Sequence, residues 1–169
     1  MRKTRSCIAA VIAFLLPLAS LAGNYAKKVN TLIGTDYTGN TYPGAQAPFG
    51  MVQLSPDNGL PGWDRIAGYF YPDSTIAGFS HTHLSGTGAG DMYDISFMPV
   101  TLPMREAKAP LGVYSRFSHN DETAHAGYYQ VRLTDYDINV ELTATPRCGV
   151  QRYTFPKNGA WSSSISQRP

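Results

Sequence analysis

The stretch from Phe79 to Asp91, FSHTHLSGTGAGD, brings two histidines, several hydroxyl side chains and three alternating glycines into one short segment. In an extended backbone successive side chains alternate between faces, so His81 and His83 are expected to project from the same side and to act as a pair. Gly86, Gly88 and Gly90 then give room for close approach by another backbone or a ligand. The pattern predicts a strand ending in a tight glycine loop. It is compatible with a metal site using both imidazoles, a phosphate-cradling loop, a polar wall that meets a hydroxyl-rich ligand, or a structural turn. Phosphate fits least, because G-x-G-x-G is not the dinucleotide fingerprint and no helical periodicity follows. Two imidazoles also fall short of the three or four ligands zinc takes, and His119 and His125 lie in a separate polar segment. Contact with a ligand rich in hydroxyl groups is therefore the leading functional reading.

A second element suited to sugars precedes it. In GLPGWDRIAGYFYPDS, Trp63 stands in a glycine- and proline-flanked turn beside Asp64 and Arg65. An indole so placed offers a flat apolar face to the C–H face of a sugar ring, or else packs beneath its own loop. Upstream, Gly34 to Asp57 is dense in glycine, hydroxyls and aromatics. Pro43 and Pro48 fix torsions there and hold Tyr42 and Phe49 in place.

The elements that position these residues read as strands. Ile138 to Thr145 alternates Ile138, Val140, Leu142 and Ala144 with polar neighbours, the pattern of a half-buried strand. Shorter segments with turn residues between most of them predict further strands at Met51 to Ser55, Ile66 to Tyr71, Asp94 to Val100, Gly112 to Ser118, Gly127 to Leu133 and Gly149 to Phe155. Only Tyr25 to Leu32 and Asp121 to Ala126 look briefly helical. An all-β, antiparallel β-sandwich is expected.

Arg2, Lys3 and Arg5 precede an apolar run from Cys7 to Leu18, with small residues at Ser20 and Ala22, so residues 1–22 read as a secretory signal peptide. The run is shorter than the ~20 apolar residues of a membrane-spanning helix, and no membrane anchor is expected. A periplasmic or secreted location follows. Removing that segment takes three of the 14 basic residues and none of the 12 acidic ones, leaving 11 against 12 and a net charge of −1. The basic surplus thus belongs to the leader, and nucleic-acid binding loses its electrostatic support. Cys148 alone remains, so no internal disulfide is expected.

Three long segments carry a resemblance: VNTLIGTDYTGNTYPGAQAPFGMVQLSPDN, GYFYPDSTIAGFSHTHLSGTGAGD and ELTATPRCGVQRYTFP. In this order they resemble the N-terminal domain of glycoside hydrolase family 92, the exo-acting α-mannosidases, over about Val29 to Phe155. The resemblance implies a β-sandwich that packs on an (α/α)6 catalytic domain, dependence on Ca2+, inversion at the anomeric centre, and mannose-rich N-glycans as substrate. It implies substrate-binding roles at the pocket edge for Trp63, His81, His83 and Asp91, the last three through the SHTHLSGTG-x-GD motif. The strand after Trp63 reads Gly68, Tyr69, Phe70, Tyr71, where the family commonly has Gly-Tyr-His-Tyr. The catalytic acid and base and the Ca2+ ligands belong, by the same resemblance, to the catalytic domain, which these residues do not include. The expected organisation is a signal peptide (1–22), an incomplete N-terminal sandwich (23–156) and a divergent tail (157–169). By itself the chain is expected to be inactive. The alternatives are a stand-alone secreted carbohydrate-binding module and, more remotely, a metal hydrolase built on His81 and His83.

Overall fold

The structure is a computed structural model that describes residues 25–86, 94–104, 112–157 and 161–166, the last as backbone. In chain order its strands are Ala45–Gln46 (β1), Gln53–Asp57 (β2), Thr75–Ile76 (β3), Gly78–Ser80 (β4), Ser96–Thr101 (β5), Ser115–Arg116 (β6), Glu122–His125 (β7), Tyr128–Leu133 (β8), Ile138–Ala144 (β9), Gly149–Thr154 (β10) and Trp161–Ser166 (β11). Every pairing is antiparallel. One sheet runs β1-β2-β4-β5-β11, a second β10-β9-β8-β7, and β3 pairs with β6 alone. Among the described residues there is no α-helix, only three short 3-10 turns.

The two larger sheets pack face to face, with β1 and β2 against β9. The alternation read from sequence explains the second sheet. Tyr129, Val131 and Leu133 of β8 stand opposite Leu142, Val140 and Ile138 of β9, and all six are fully buried. Leu54, Phe79, Met98 and Val100 join the same core from the first sheet. Each such side chain contributes about 1.5–3 kcal/mol on removal from water. The core therefore fixes which face of each strand looks inward, and a one-residue slip would turn these rows to solvent.

Three local expectations change. Ile66 to Tyr71 forms turns instead of a strand: Gly68, at φ 85°, donates its N–H to Arg65 and accepts from Asn58, so the backbone closes on itself. Its apolar residues are still buried, because Ile66, Ala67 and Tyr69 cap the core from a loop. The segment Asp121 to Ala126 is largely strand β7, since pairing of Glu122 with Val131 and of His125 with Tyr128 overrides a weak local helical preference. Between Gly112 and Ser118 only Ser115 and Arg116 extend the pairing, on β3. Beyond the boundary read at residue 156, β11 pairs with β5 from Trp161↔Thr101 to Ser166↔Ser96, so the first sheet takes in part of the tail. Residues 1–22 lie outside the described residues.

Candidate functional site

The histidine stretch leaves β4 at Ser80 and bends at once, which breaks the alternation that would have kept the two imidazoles together. His83 turns back over the sheet. Its side chain is fully buried, with Nδ1 2.7 Å from the Gln53 carbonyl oxygen and Nε2 3.0 Å from Asp57 Oδ1 and 3.2 Å from Ser80 Oγ. The Gln53 carbonyl can only accept, so Nδ1 carries a hydrogen, and a further proton is shared between Nε2 and the Asp57 carboxyl. Tyr42 covers the imidazole at 5.1 Å between ring centroids. Burial pushes the Tyr42 phenol up to about 12, and its hydroxyl donates to Gln46 Oε1 at 2.5 Å.

His81 goes elsewhere. Half-buried, it meets the Phe97 ring edge-on at 5.8 Å, and Gly149 leaves the space its ring uses, since a Cβ there would lie 3.1 Å from His81 Cδ2. Thr82 and Asp94 then bond at 3.2 Å across the base of the glycine loop. Asp91 lies outside the described residues. Ser80, His83 and Asp57 contain the residue types of a nucleophilic triad, yet both oxygens meet the same imidazole nitrogen and no member is open to solvent. The arrangement locks β2 to β4 and to the returning loop; it does not activate a nucleophile.

Trp63 sits at the other end of the β2–β4 pair, in the turn Trp63–Arg65 that follows β2, with 61% of its surface exposed. That turn is held firmly. Arg65 donates from Nε and Nη2 to the two carboxyl oxygens of Asp73, at 2.7 and 2.5 Å, while its guanidinium lies 4.5 Å over the Phe70 ring. Asn58 receives the Phe70 N–H and donates to the Thr75 carbonyl, closing the base of the loop.

A further polar cluster anchors the same loop from the opposite sheet. Glu122, whose side chain is 3% exposed, accepts from the Tyr69 hydroxyl at 2.9 Å, from the Tyr129 hydroxyl at 2.6 Å, and meets His119 Nδ1 at 2.6 Å. Burial, reinforced by the Glu122 charge, pushes both phenols far up, so both remain donors. His119 Nε2 donates to the Tyr71 carbonyl at 2.7 Å, and its ring stacks on Tyr71 at 4.0 Å. The sequence reading passed over these residues, although His119 and Glu122 stand at i,i+3; their partners Tyr69 and Tyr129 are brought in from other elements. Separately, a cleft of about 660 Å3 opens beside β1, lined by Tyr42, Gln46, Thr31, Thr41 and Ser85 among small apolar residues.

The sequence profile of the Glycosyl hydrolase family 92 N-terminal domain matches residues 28–166. The chain belongs to glycosyl hydrolase family 92. A family 92 α-mannosidase from Bacteroides thetaiotaomicron, solved also in complex with mannoimidazole, is 44% identical with a TM-score of 0.72, covering 78% of this chain and 18% of that one. The family 92 inverting mannosidase of the same organism is 30% identical with a TM-score of 0.66, covering 83% of this chain and 19% of its own. An uncharacterized secreted glycosidase of Arthroderma benhamiae is 28% identical over an alignment 155 residues long that covers 86% of this chain and 19% of that protein. The chain thus spans about a fifth of the length of these relatives.

The Ca2+ expected from the resemblance finds no assembled set of ligands among the described residues. Hard cations of this kind take six to eight oxygen ligands. Among the described residues no three histidine, cysteine, aspartate or glutamate side chains converge on a point that could hold a metal. The buried Asp57 Oδ2 lacks a hydrogen-bond partner, but His83 and Ser80 beside it are already engaged with the protein. Within the described residues no helix is long and apolar enough to cross a membrane.

Proposed function

We propose that this chain is the N-terminal, sugar-facing portion of a secreted, calcium-dependent, inverting exo-α-mannosidase acting on mannose-rich N-glycans. The observation that carries the reading is the exposed Trp63 ring on an Arg65–Asp73-clamped turn, in a domain whose solved relatives include α-mannosidases. A flat indole held in this way stacks on the C–H face of a mannose ring without losing much side-chain freedom on binding. In this reading His81 and Asp91 lie at the pocket edge, and His83 supports the returning loop from beneath.

Inversion needs one protonated carboxyl group and a second that activates water about 6.5–9.5 Å away. Among the described residues, the buried carboxylates Asp57, Asp73 and Glu122 are paired with His83, with Arg65, and with His119 and two phenols. In this reading the acid, the base and the Ca2+ ligands belong, as the resemblance to family 92 implies, to a catalytic domain beyond these residues. Trp63 holds the sugar in ground state and transition state alike, and uniform binding of that kind lowers KM without accelerating the chemical step.

The test is mannose release from α-1,2-linked mannobiose, with and without chelator. The chain by itself should release none, and fusion to a family 92 catalytic domain should confer calcium-dependent release that Trp63→Ala weakens mainly through KM. Calcium-dependent turnover by the chain alone, surviving removal of host enzymes, would refute the division of labour. Saturable mannobiose binding by the chain, with no gain from a catalytic domain, would favour a stand-alone carbohydrate-binding module.

A further inference from the structure

Between the end of β2 and β3 the chain makes an excursion of 17 residues, Asn58 to Ser74, whose own hydrogen bonds are mostly turns. Trp63 lies near its start and Tyr71 near its end. Such an excursion has few regular backbone partners, and the placement of its tip depends on what grips its return limb. Arg65 ties the tip to that limb through Asp73 and Phe70. The limb in turn is gripped at two places by residues that enter from β7 and the turn before it: the Tyr69 hydroxyl by Glu122, and the Tyr71 carbonyl by His119.

The chemistry of that grip is specific. Nε2 of His119 faces a carbonyl oxygen, which can only accept, so it carries hydrogen. A 2.6 Å contact between Nδ1 and Glu122 Oε2 requires another proton between them. The cluster therefore holds one proton more than a neutral imidazole and a free carboxylate would. Among the described residues, Tyr69 and Tyr129 donate to Glu122, Tyr71 stacks on the ring, Phe117 meets it edge-on, and Asp73 beyond Tyr69 is paired with Arg65. Neither phenol supplies that extra proton, because each already donates to the carboxyl.

We propose that His119 and Glu122 are positioning residues for sugar binding: from the edge of the second sheet they hold the return limb of the Trp63 excursion, and through Arg65 they fix the indole. The proposal rests on the reading of Trp63 as the sugar-stacking ring.

The experiment follows amide exchange, corrected for intrinsic rates, and the Trp63 indole signal in the full chain, that signal being assigned with Trp63→Phe. His119→Ala should speed exchange at 65–71 about tenfold and weaken α-1,2-mannobiose binding by a similar factor, with β9 unchanged. Glu122→Gln, whose amide oxygen still accepts from both phenols, should keep the fold and leave exchange at 65–71 close to that of the unmodified protein, the rescue expected of a hydrogen-bonded clamp. Equal loosening of β9 and the turn in His119→Ala, or exchange at 65–71 and an indole signal both unchanged in that variant, would overturn the proposal. Trp63→Ala separates the two readings. Mannobiose binding retained in that variant, with exchange at 65–71 still responding to His119→Ala, would refute the sugar contact, whereas binding lost with no response of exchange would refute the clamp.

Discussion

Replacing His83 by alanine tests whether the most prominent motif of the sequence works as a fold lock. The substitution removes a fully buried imidazole and with it the partners of the Gln53 carbonyl, Asp57 Oδ1 and Ser80 Oγ. Asp57 is 2% exposed and its Oδ2 already has no hydrogen-bond partner, so the variant strands a buried carboxylate. Breaking a buried pair from one side costs about 3–5 kcal/mol, most of it the uncompensated charge. At roughly 2–4 °C per kcal/mol for a domain of this size, the melting temperature should fall by about 6–20 °C at neutral pH. Asp57→Ala combined with His83→Ala should cost less than the sum of the two, with a coupling of at least about 1 kcal/mol. The assay is thermal unfolding at neutral pH, with the double-mutant cycle. A loss below about 1 kcal/mol, or additive effects, would refute the buried-pair account and return His83 to the pool of ligand-contacting residues.

Gly44→Ala should destabilise by about 1–3 kcal/mol, because a Cβ there would lie 2.1 Å from the Leu54 carbonyl oxygen and push β1 off β2; faster amide exchange at the β1–β2 pairing reads it. An alkaline titration followed by phenolate absorbance should show Tyr42 staying neutral until about pH 12. Its folded value lies above the unfolded one, so the stability it contributes is present below the unfolded value near 10 and is lost as pH climbs towards 12, a trend that alkaline denaturation midpoints would reveal. Export with cleavage after Ala22 predicts that secreted or periplasmic material begins at Gly23, and N-terminal sequencing that finds Met1 there would defeat it.

The regular part of the fold was legible because its signals are local. Strict alternation from Ile138 to Ala144 requires one apolar face, and any strand that buries that face must pair in a register that keeps Leu142, Val140 and Ile138 inward. Loop composition gave Trp63 its exposed turn for a similar reason: glycine and proline flanks exclude a strand interior. The apolar Ile66 to Tyr71 segment misled because burial in a loop and burial in a strand leave the same composition; only the hydrogen bonds of Gly68 and Asn58 distinguish them.

By itself, then, the chain's sequence determined the sheet class, the strands with long alternation, and membership of a family through motifs long enough to survive one-dimensional reading. Tertiary structure decided what the polar residues do. The equivalence of His81 and His83 held only for an extended backbone. One bend after Ser80 sent His83 into a buried contact with Asp57, 26 positions away, and left His81 against Phe97. Glu122 draws its donors from Tyr69, Tyr129 and His119, residues from a turn excursion, a central strand and a 3-10 turn. A desolvated carboxylate must find donors wherever folding brings them, and that demand leaves no periodic trace in sequence.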